Sequence, residues 1–381
     1  AFALGVAAVA TFFYEGLPMM IAFQRIISGI SIFALMAIPF FIFAGELMFH
    51  GGIAIRLVRF ASSAVGAMRG GLGVVNVFSS MLFGGISGSA IADISALGSI
   101  LIPVMKEKGY DDDYAVNVTV TSSLAGIIIP PSHNMIIYAI AAGGGISVSK
   151  LFLAGFIPGV LMCLCLAAVS YIVAVKRGYA SEAYPGVVIL VKNFITALPG
   201  LMTAIIIVGG VLSGIFTVTE SGAFGAIYAF LVTIIVYRAM PWEKFKLAVT
   251  NSVRTTSMVM ILIACTGAFA YLLTFYQVPT KMSLFLTRIS DNPVVILLMI
   301  NLMLLFLGMI MDMAALILIC TPIFLPIAIS IGIDPYQFGM ILLMNLGLGL
   351  CTPPVGSCLF VGCAVGGVTV SYTHLTLPTN A

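Results

Sequence analysis

Two proline pairs, Pro130-Pro131 and Pro353-Pro354, interrupt stretches otherwise as apolar as a bilayer span: GIIIPPSHNM at 126–135 and GLGLCTPPVGSC at 347–358. A proline has no backbone N–H and drives the residue before it out of helical geometry. Pro131 acts on Pro130 and Pro130 acts on Ile129, so a helix running from about 114 must stop near Ile128. The carbonyls of Gly126, Ile127 and Ile128 then lose helical donors. At membrane depth that is tolerated only beside protein or a water-filled cavity.

The two interruptions are copies of one device. A shift of 223 positions lays Pro130 and Pro131 on Pro353 and Pro354, with no gap. The same shift lays Gly85 on Gly308, Pro103 on Pro326, Gly109 on Gly332, Asp111 on Asp334, Gly126 on Gly349, and Gly143 and Gly144 on Gly366 and Gly367. These residues set backbone geometry; chance apolar similarity would match Leu and Ile instead. The chain therefore contains an internal duplication.

The medium follows from composition. Of 381 residues, 61% are hydrophobic and only 8% charged, against about 25% charged in soluble domains. Such a chain belongs in lipid, and its net charge of +3 gives no footprint for nucleic acid. Runs long enough to span are expected near 19–49, 150–175, 194–214, 221–237 and 255–277. The seven cysteines lie in apolar segments without the CxxC spacing of a zinc site, and read as small buried residues. Lys176 and Arg177 end one span, and Arg238, Lys244 and Lys246 follow another, so both loops are expected on the cytoplasmic side. The two duplicated units are expected to be inverted relative to each other.

The period bears on the ends as well. The span 150–175 is expected to recur near 373–398 and the span 194–214 to have a partner before residue 1, so both ends are expected to be truncated. The chain starts inside an apolar run without Met, and no cleavable signal peptide is expected. Residues 371–381, SYTHLTLPTNA, are abruptly polar and are expected to be a non-native tail, set aside with His374.

Each unit reads as a short hairpin followed by a broken helix. The first hairpin covers 72–106, with Gly85–Ala90 expected at its tip; the second covers 293–329, with Gly308–Met313 at its tip. Discontinuous helices offer hard carbonyl oxygens to small cations and their resumed N-termini to anions. Ser87 and Ser89 add hydroxyls at the first tip. Ser132, His133 and Asn134 sit at one resumed helix, and Gly356 and Ser357 at the other. Asp312 in the second tip carries a carboxylate at a depth where burial is costly, and is read as facing a central cavity. Asp93 is expected to cap or orient the first tip; Glu46 and Glu220 are read as structural, and His50 as interfacial. The spacing thus predicts cation-coupled transport of an organic anion, in which each species raises the other's affinity.

The stretches GGISGSAIADISALGSILIPVMKEKGYD (84–111), IIIPPSHNMIIYA (127–139), LGMIMDMAALILICTPIFLPIA (307–328) and GIDPYQFGMILLMNLGLGLCTPPVG (332–356) resemble the large membrane subunit of tripartite ATP-independent periplasmic (TRAP) transporters. The likeness spans nearly all of 1–370, with one departure: the family form after the first prolines is closer to PPSIPM, where this chain has PPSHNM. The resemblance implies an all-α polytopic membrane protein: an inverted repeat with two re-entrant hairpins and two broken helices, working as an elevator-type transporter. Its blocks would be 1–71 (scaffold and arm helices), 72–145 (first hairpin and broken helix), 146–292 (scaffold and connecting helices) and 293–370 (second hairpin and broken helix). It further implies a bacterial inner-membrane location, symport of two or more sodium ions, a small membrane subunit, and a periplasmic binding protein. The delivered acid would be of the C4-dicarboxylate, sialic acid or sugar acid class. Carried over by position, one sodium site would use Ser87, Gly126, Ile129 and Pro131, and the other Leu307 or Gly308, Gly349, Thr352 and Val355. Ser89, Asn134 and Asp312 are the substrate candidates.

Two other readings compete. Gly85-Ile86-Ser87-Gly88 matches the G-x-S-G of an intramembrane serine protease, with His50 or His133 as base. The second tip keeps the architecture but replaces Ser and Gly by Ile310 and Met311, which argues against a nucleophile. A channel is the other alternative; closed hairpins with cation sites favour alternating access.

Overall fold

A computed structural model describes residues 2–290 and 292–370, with the side chain of Phe2 excepted. The expected tail 371–381 lies outside the described residues. All regular elements described are helical. The chain opens with α1 (Phe2–Tyr14), α2 (Met19–Ile30), a tight turn of helix at Phe33–Met36 leading into α3 (Ala37–His50), and α4 (Ile53–Val65). The single span expected at 19–49 is therefore two helices. The chain turns extended at Ile32, and the crossing segment is Phe33–His50. Hydropathy is blind to such a break because both sides are apolar.

The first unit follows. Helix α5 (Gly71–Ser87) is the descending arm; the returning arm is α6 (Ala90–Asp93), a π-helical turn at Ile94–Gly98 and α7 (Ser99–Glu107). Then α8 (Asp112–Ser122) and α9 (Ala125–Ile128) run to the prolines, and α10 (His133–Ala141) resumes beyond them with a bend of 52°. Four long spans follow: α11 (Val148–Lys176), α12 (Val187–Leu212), α13 (Val218–Leu231, continued by a π-helical turn to Val236) and α14 (Trp242–Phe275). A short α15 (Val278–Ile289) leads to the second unit: α16 (Pro293–Gly308) and α17 (Met313–Ser330) as hairpin arms, α18 (Pro335–Leu350) and α19 (Ser357–Gly366) as the broken helix. The unit is reproduced arm for arm at the 223-residue offset. The outward faces of the long spans carry Leu153, Phe156, Ile157, Leu161, Val188 and Ile195, all exposed, as lipid contact requires.

Specific contacts fix the sense of the two units. At the base of the first, Arg177 ends α11 and donates to both oxygens of Asp113 at 2.9 and 2.8 Å, and to Asp111 at 2.9 Å. At the base of the second, the Ser147 N–H donates to the Tyr336 hydroxyl at 3.2 Å, and Tyr138 donates to the Pro335 carbonyl at 2.6 Å. Residues 147 and 177 lie at opposite ends of the single span α11. The two hairpins therefore enter from opposite faces, and the repeat is inverted.

The Arg177 clamp is the best-formed ion pair among the described residues. A forked guanidinium–carboxylate contact is geometrically selective. The Tyr179 hydroxyl joins it, donating to Asp111 at 2.7 Å. Burial, then the bond to Asp111, pushes that hydroxyl up to about 12, so it remains a donor at physiological pH. Arg177→Ala would leave the Asp113 carboxylate, whose side chain is only 9% exposed, without its partner. The expected loss is on the order of 2 kcal/mol, between exposed and fully buried pairs, read as a lower thermal midpoint in detergent.

Candidate functional site

Small residues let hairpin and broken helix touch backbone to backbone. A methyl at Gly84 would stand 2.6 Å from the Gly126 nitrogen, and one at Gly85 would stand 3.3 Å from the Pro130 carbonyl oxygen. In the second unit a methyl at Gly349 would stand 2.5 Å from the Gly308 carbonyl carbon. Glycine is required at such approaches. The first hairpin's helix runs through Gly84 and Gly85 and turns only at Gly88, which has φ +62°. The tip is thus Gly88-Ser89, narrower than the expected Gly85–Ala90. Gly84 and Gly85 serve the approach rather than the turn.

The breaks are built from the same parts. Pro130 and Pro131 have no N–H to give to the carbonyls of Gly126 and Ile127, and the chain runs extended at Ile129. Gly126 packs against the Ser89 backbone. Ser87, at the end of α5, is 8% exposed, and its hydroxyl reaches the Ser89 carbonyl at 3.4 Å. Ser87, Gly126, Ile129 and Pro131 therefore converge on one buried crossing. In the second unit Val355 and Gly356 both donate backbone N–H to the Met309 carbonyl at 3.1 Å, which pins that break to the tip beside Leu307 and Gly308. The Thr352 hydroxyl donates to Leu348 at 2.7 Å, and the Thr352 N–H to the Gly349 carbonyl at 3.0 Å. The Cys351 N–H is also directed at the Gly349 oxygen, which therefore accepts within the break. The breaks also differ in cover: Ile129 to Ser132 are buried, whereas Pro354 and Val355 are exposed.

The substrate candidates sit on the two tips and at one resumed helix start. Ser89 and Asp312 occupy equivalent positions under the repeat. Each caps its returning arm, Ser89 accepting from Ala92 at 3.5 Å and Asp312 from Ala314 at 3.0 Å. Asp312 is exposed on the tip. His133, first residue of α10, lies against the tip: a methyl at Gly88 would stand 3.4 Å from the His133 nitrogen. This joins the first tip to the resumed helix. Asn134 is 5% exposed on the same helix start. The hydroxyls of Ser132 and Ser357, at the two resumed helix starts, are buried without a hydrogen-bond partner. Two orphaned hydroxyls, one at each resumed helix start, are what a polar ligand there would satisfy.

Other expectations resolve structurally. Glu220 forms a capping box with Thr217, a helix-start device. Glu46 accepts from Asn251 at 3.2 Å and has the His50 ring 3.4 Å away, so it ties α3 to α14. Next to it, Gly45 packs on the Ser87 backbone, where the long spans meet the first tip. Asp93 does not cap the tip, since Ser89 does. Sequence reading missed Gly84 and the Met309 carbonyl; only the neighbour of Gly85 was a signal for the first, and nothing signals a backbone acceptor. Cavities of about 370 and 450 Å³ lie beside Lys108–Glu182 and along α14 near Tyr271. Neither touches the breaks.

An inverted pair of hairpins and broken helices is the architecture of a membrane transporter. The chain matches over residues 1–378 the family described as "Tripartite ATP-independent periplasmic transporter, DctM component", and it belongs to that family. It is a permease component, a multi-pass protein of the inner membrane, and not an enzyme. It is 39% identical over 347 residues, 91% of this chain and 81% of the relative, to the sialic acid TRAP transporter large permease protein SiaM of Vibrio cholerae. It is 41% identical over 343 residues, 90% and 79% respectively, to the C4-dicarboxylate TRAP transporter large permease protein DctM of Pseudomonas aeruginosa. In fold it resembles the Alcanivorax borkumensis YdaH transporter, with TM-score 0.69 at 13% identity over 94% of this chain and 85% of that one.

Proposed function

We propose that this permease imports an organic acid together with sodium ions, one at each helix break, by an elevator movement of the two hairpin units. The observation that carries this reading is the doubled backbone crossing, in which glycines of each hairpin meet the broken helix of the same unit, Gly84 and Gly85 at Gly126 and Pro130, and Gly308 at Gly349. Neutral oxygens suit a weakly charged hard cation. Sodium at the first break would be held by Ser87 and the carbonyls of Gly126, Ile129 and Pro131. At the second it would be held by carbonyls of Leu307 or Gly308, Gly349 and Val355, with Thr352. Two bound cations beside two helix starts favour an anion between them, and Ser89, Asn134 and Asp312 line that space.

The relatives' names support a carboxylate cargo, of the sialic acid or C4-dicarboxylate class, and the family's tripartite description supports two partners. We read these as a small membrane subunit and a periplasmic binding protein that delivers the acid. Opposite entry of the hairpins supports alternating access, because each unit offers one mouth to one side.

Uptake of labelled sialic acid and of labelled succinate into proteoliposomes, with both partners added, tests this. An inward sodium gradient is expected to drive accumulation of one of them, and replacement of sodium by choline is expected to abolish it. Uptake unchanged in choline would refute the coupling.

A further inference from the structure

The first hairpin encloses a carboxylate that neither break uses. Asp93 is 1% exposed, and neither of its oxygens meets a hydrogen-bond partner. Helix α6, which it ends, packs against α5, α9, α19 and the π-helical turn 94–98. From α5, the Ser80 hydroxyl is near enough to act on the carboxyl without making a hydrogen bond to it. Among the described residues, two thiols, Cys163 from α11 and Cys358 from α19, are within electrostatic reach of Asp93. Helix α9 (AGII) and the π-helical turn (ISALG) carry no ionisable side chain. Among the described residues, no basic group acts on this carboxyl.

Ser80 is the near end of a buried polar line. It shares a 3.0 Å bond with Ser122; Ser122 donates to Asn76 at 3.2 Å; Asn76 donates to Thr119 at 2.6 Å. These four side chains are at most 1% exposed. The line joins α5 to α8 and ends at Ser80, beside the unpartnered Asp93 carboxyl. An ionised carboxylate out of water must be neutralised by a proton or paired with a cation. A packing role alone would be better filled by Leu or Asn, which bring no charge into lipid depth.

We propose that Asp93 anchors a further monovalent-cation site inside the first hairpin, distinct from the two breaks, with Ser80 beside it and a proton or a sodium ion as occupant. The site rests on the reading of the chain as a transporter, and not on sodium at the breaks. Because Asp93 sits on the moving hairpin of that reading, its occupant crosses with the unit and adds a positive charge to the cargo.

The test uses the full-length permease with its membrane partner in nanodiscs. Equilibrium dialysis against radiolabelled sodium counts bound ions, and infrared spectroscopy reads the carbonyl stretch of a protonated carboxylic acid. Asp93→Asn keeps the shape and removes the charge. With sodium as occupant, the variant binds one sodium fewer than the parent. With a proton as occupant, the sodium counts match, and an acid stretch present in the parent is missing from the variant. Equal counts with no acid stretch that depends on Asp93 overturn the proposal. If Asp93→Asn does not fold, Ser80→Ala serves: it keeps the carboxyl and is expected to weaken sodium binding or move the acid stretch, and no change in either overturns the site. Failure of sodium binding at the breaks lowers both counts equally and leaves the difference intact, so the two failures are distinguishable.

Discussion

Gly349→Ala is expected to cut sodium-driven uptake at least roughly tenfold while the protein still reaches the membrane. The added methyl would stand 2.5 Å from the Gly308 carbonyl carbon and 2.6 Å from its Cα. Both are backbone atoms, so no side chain can rotate away. Overpacking of this kind costs about 1–3 kcal/mol. Here the strain is relieved by parting tip and break, which pulls apart the oxygens proposed to hold the second cation. Gly347→Ala is the control. Its methyl would meet Leu124 Cδ2 at 3.3 Å and Ile127 Cδ1 at 3.4 Å, side-chain ends that can shift, so uptake within about twofold of the parent is expected. Normal uptake by Gly349→Ala would show that the close crossing is not part of the site.

The second large effect is expected from Pro130→Ala combined with Pro131→Ala. Alanine restores the two missing N–H groups and is a far better helix former, by about 3 kcal/mol per residue. The helix can then close onto the carbonyls of Gly126 and Ile127, and run straight where it now bends by 52°. A charged group that loses one strong polar partner forfeits about 1.5–3 kcal/mol, so the sodium concentration for half-maximal uptake should rise at least roughly tenfold. The folded permease should survive, since the change favours helix. Unchanged sodium dependence would mean that the prolines only kink a span.

Much of this architecture was legible because the duplication marks Gly, Pro and Asp, which are tied to backbone shape rather than to hydropathy. The paired prolines placed both breaks, and the shorter apolar pieces before them placed both hairpins. What stayed hidden was of another kind. The break at Ile32 lies between two apolar stretches, so no polarity change announces it. The π-helical turns at 94–98 and 232–236 have no breaker residue. Gly85 looked like part of a turn because glycine serves both turns and close approaches, and only the packing partner tells them apart. Asp93 could be placed on an arm, but whether it faced the tip or the interior depended on the helical phase across the Gly88-Ser89 turn, which no pattern specifies. The equivalence of Ser89 and Asp312 was present in the 223-residue offset; it acquired a meaning once both were seen to cap the returning arms.

The dependence of uptake on sodium concentration tests the two-break account most directly. For the parent protein the initial rate should rise sigmoidally with sodium, because two cations must bind before the acid is held. Altering one break, by Gly349→Ala or by the double proline replacement, should turn the residual uptake hyperbolic. A hyperbolic curve for the parent, or uptake indifferent to sodium, would contradict the assignment of one coupled cation to each break.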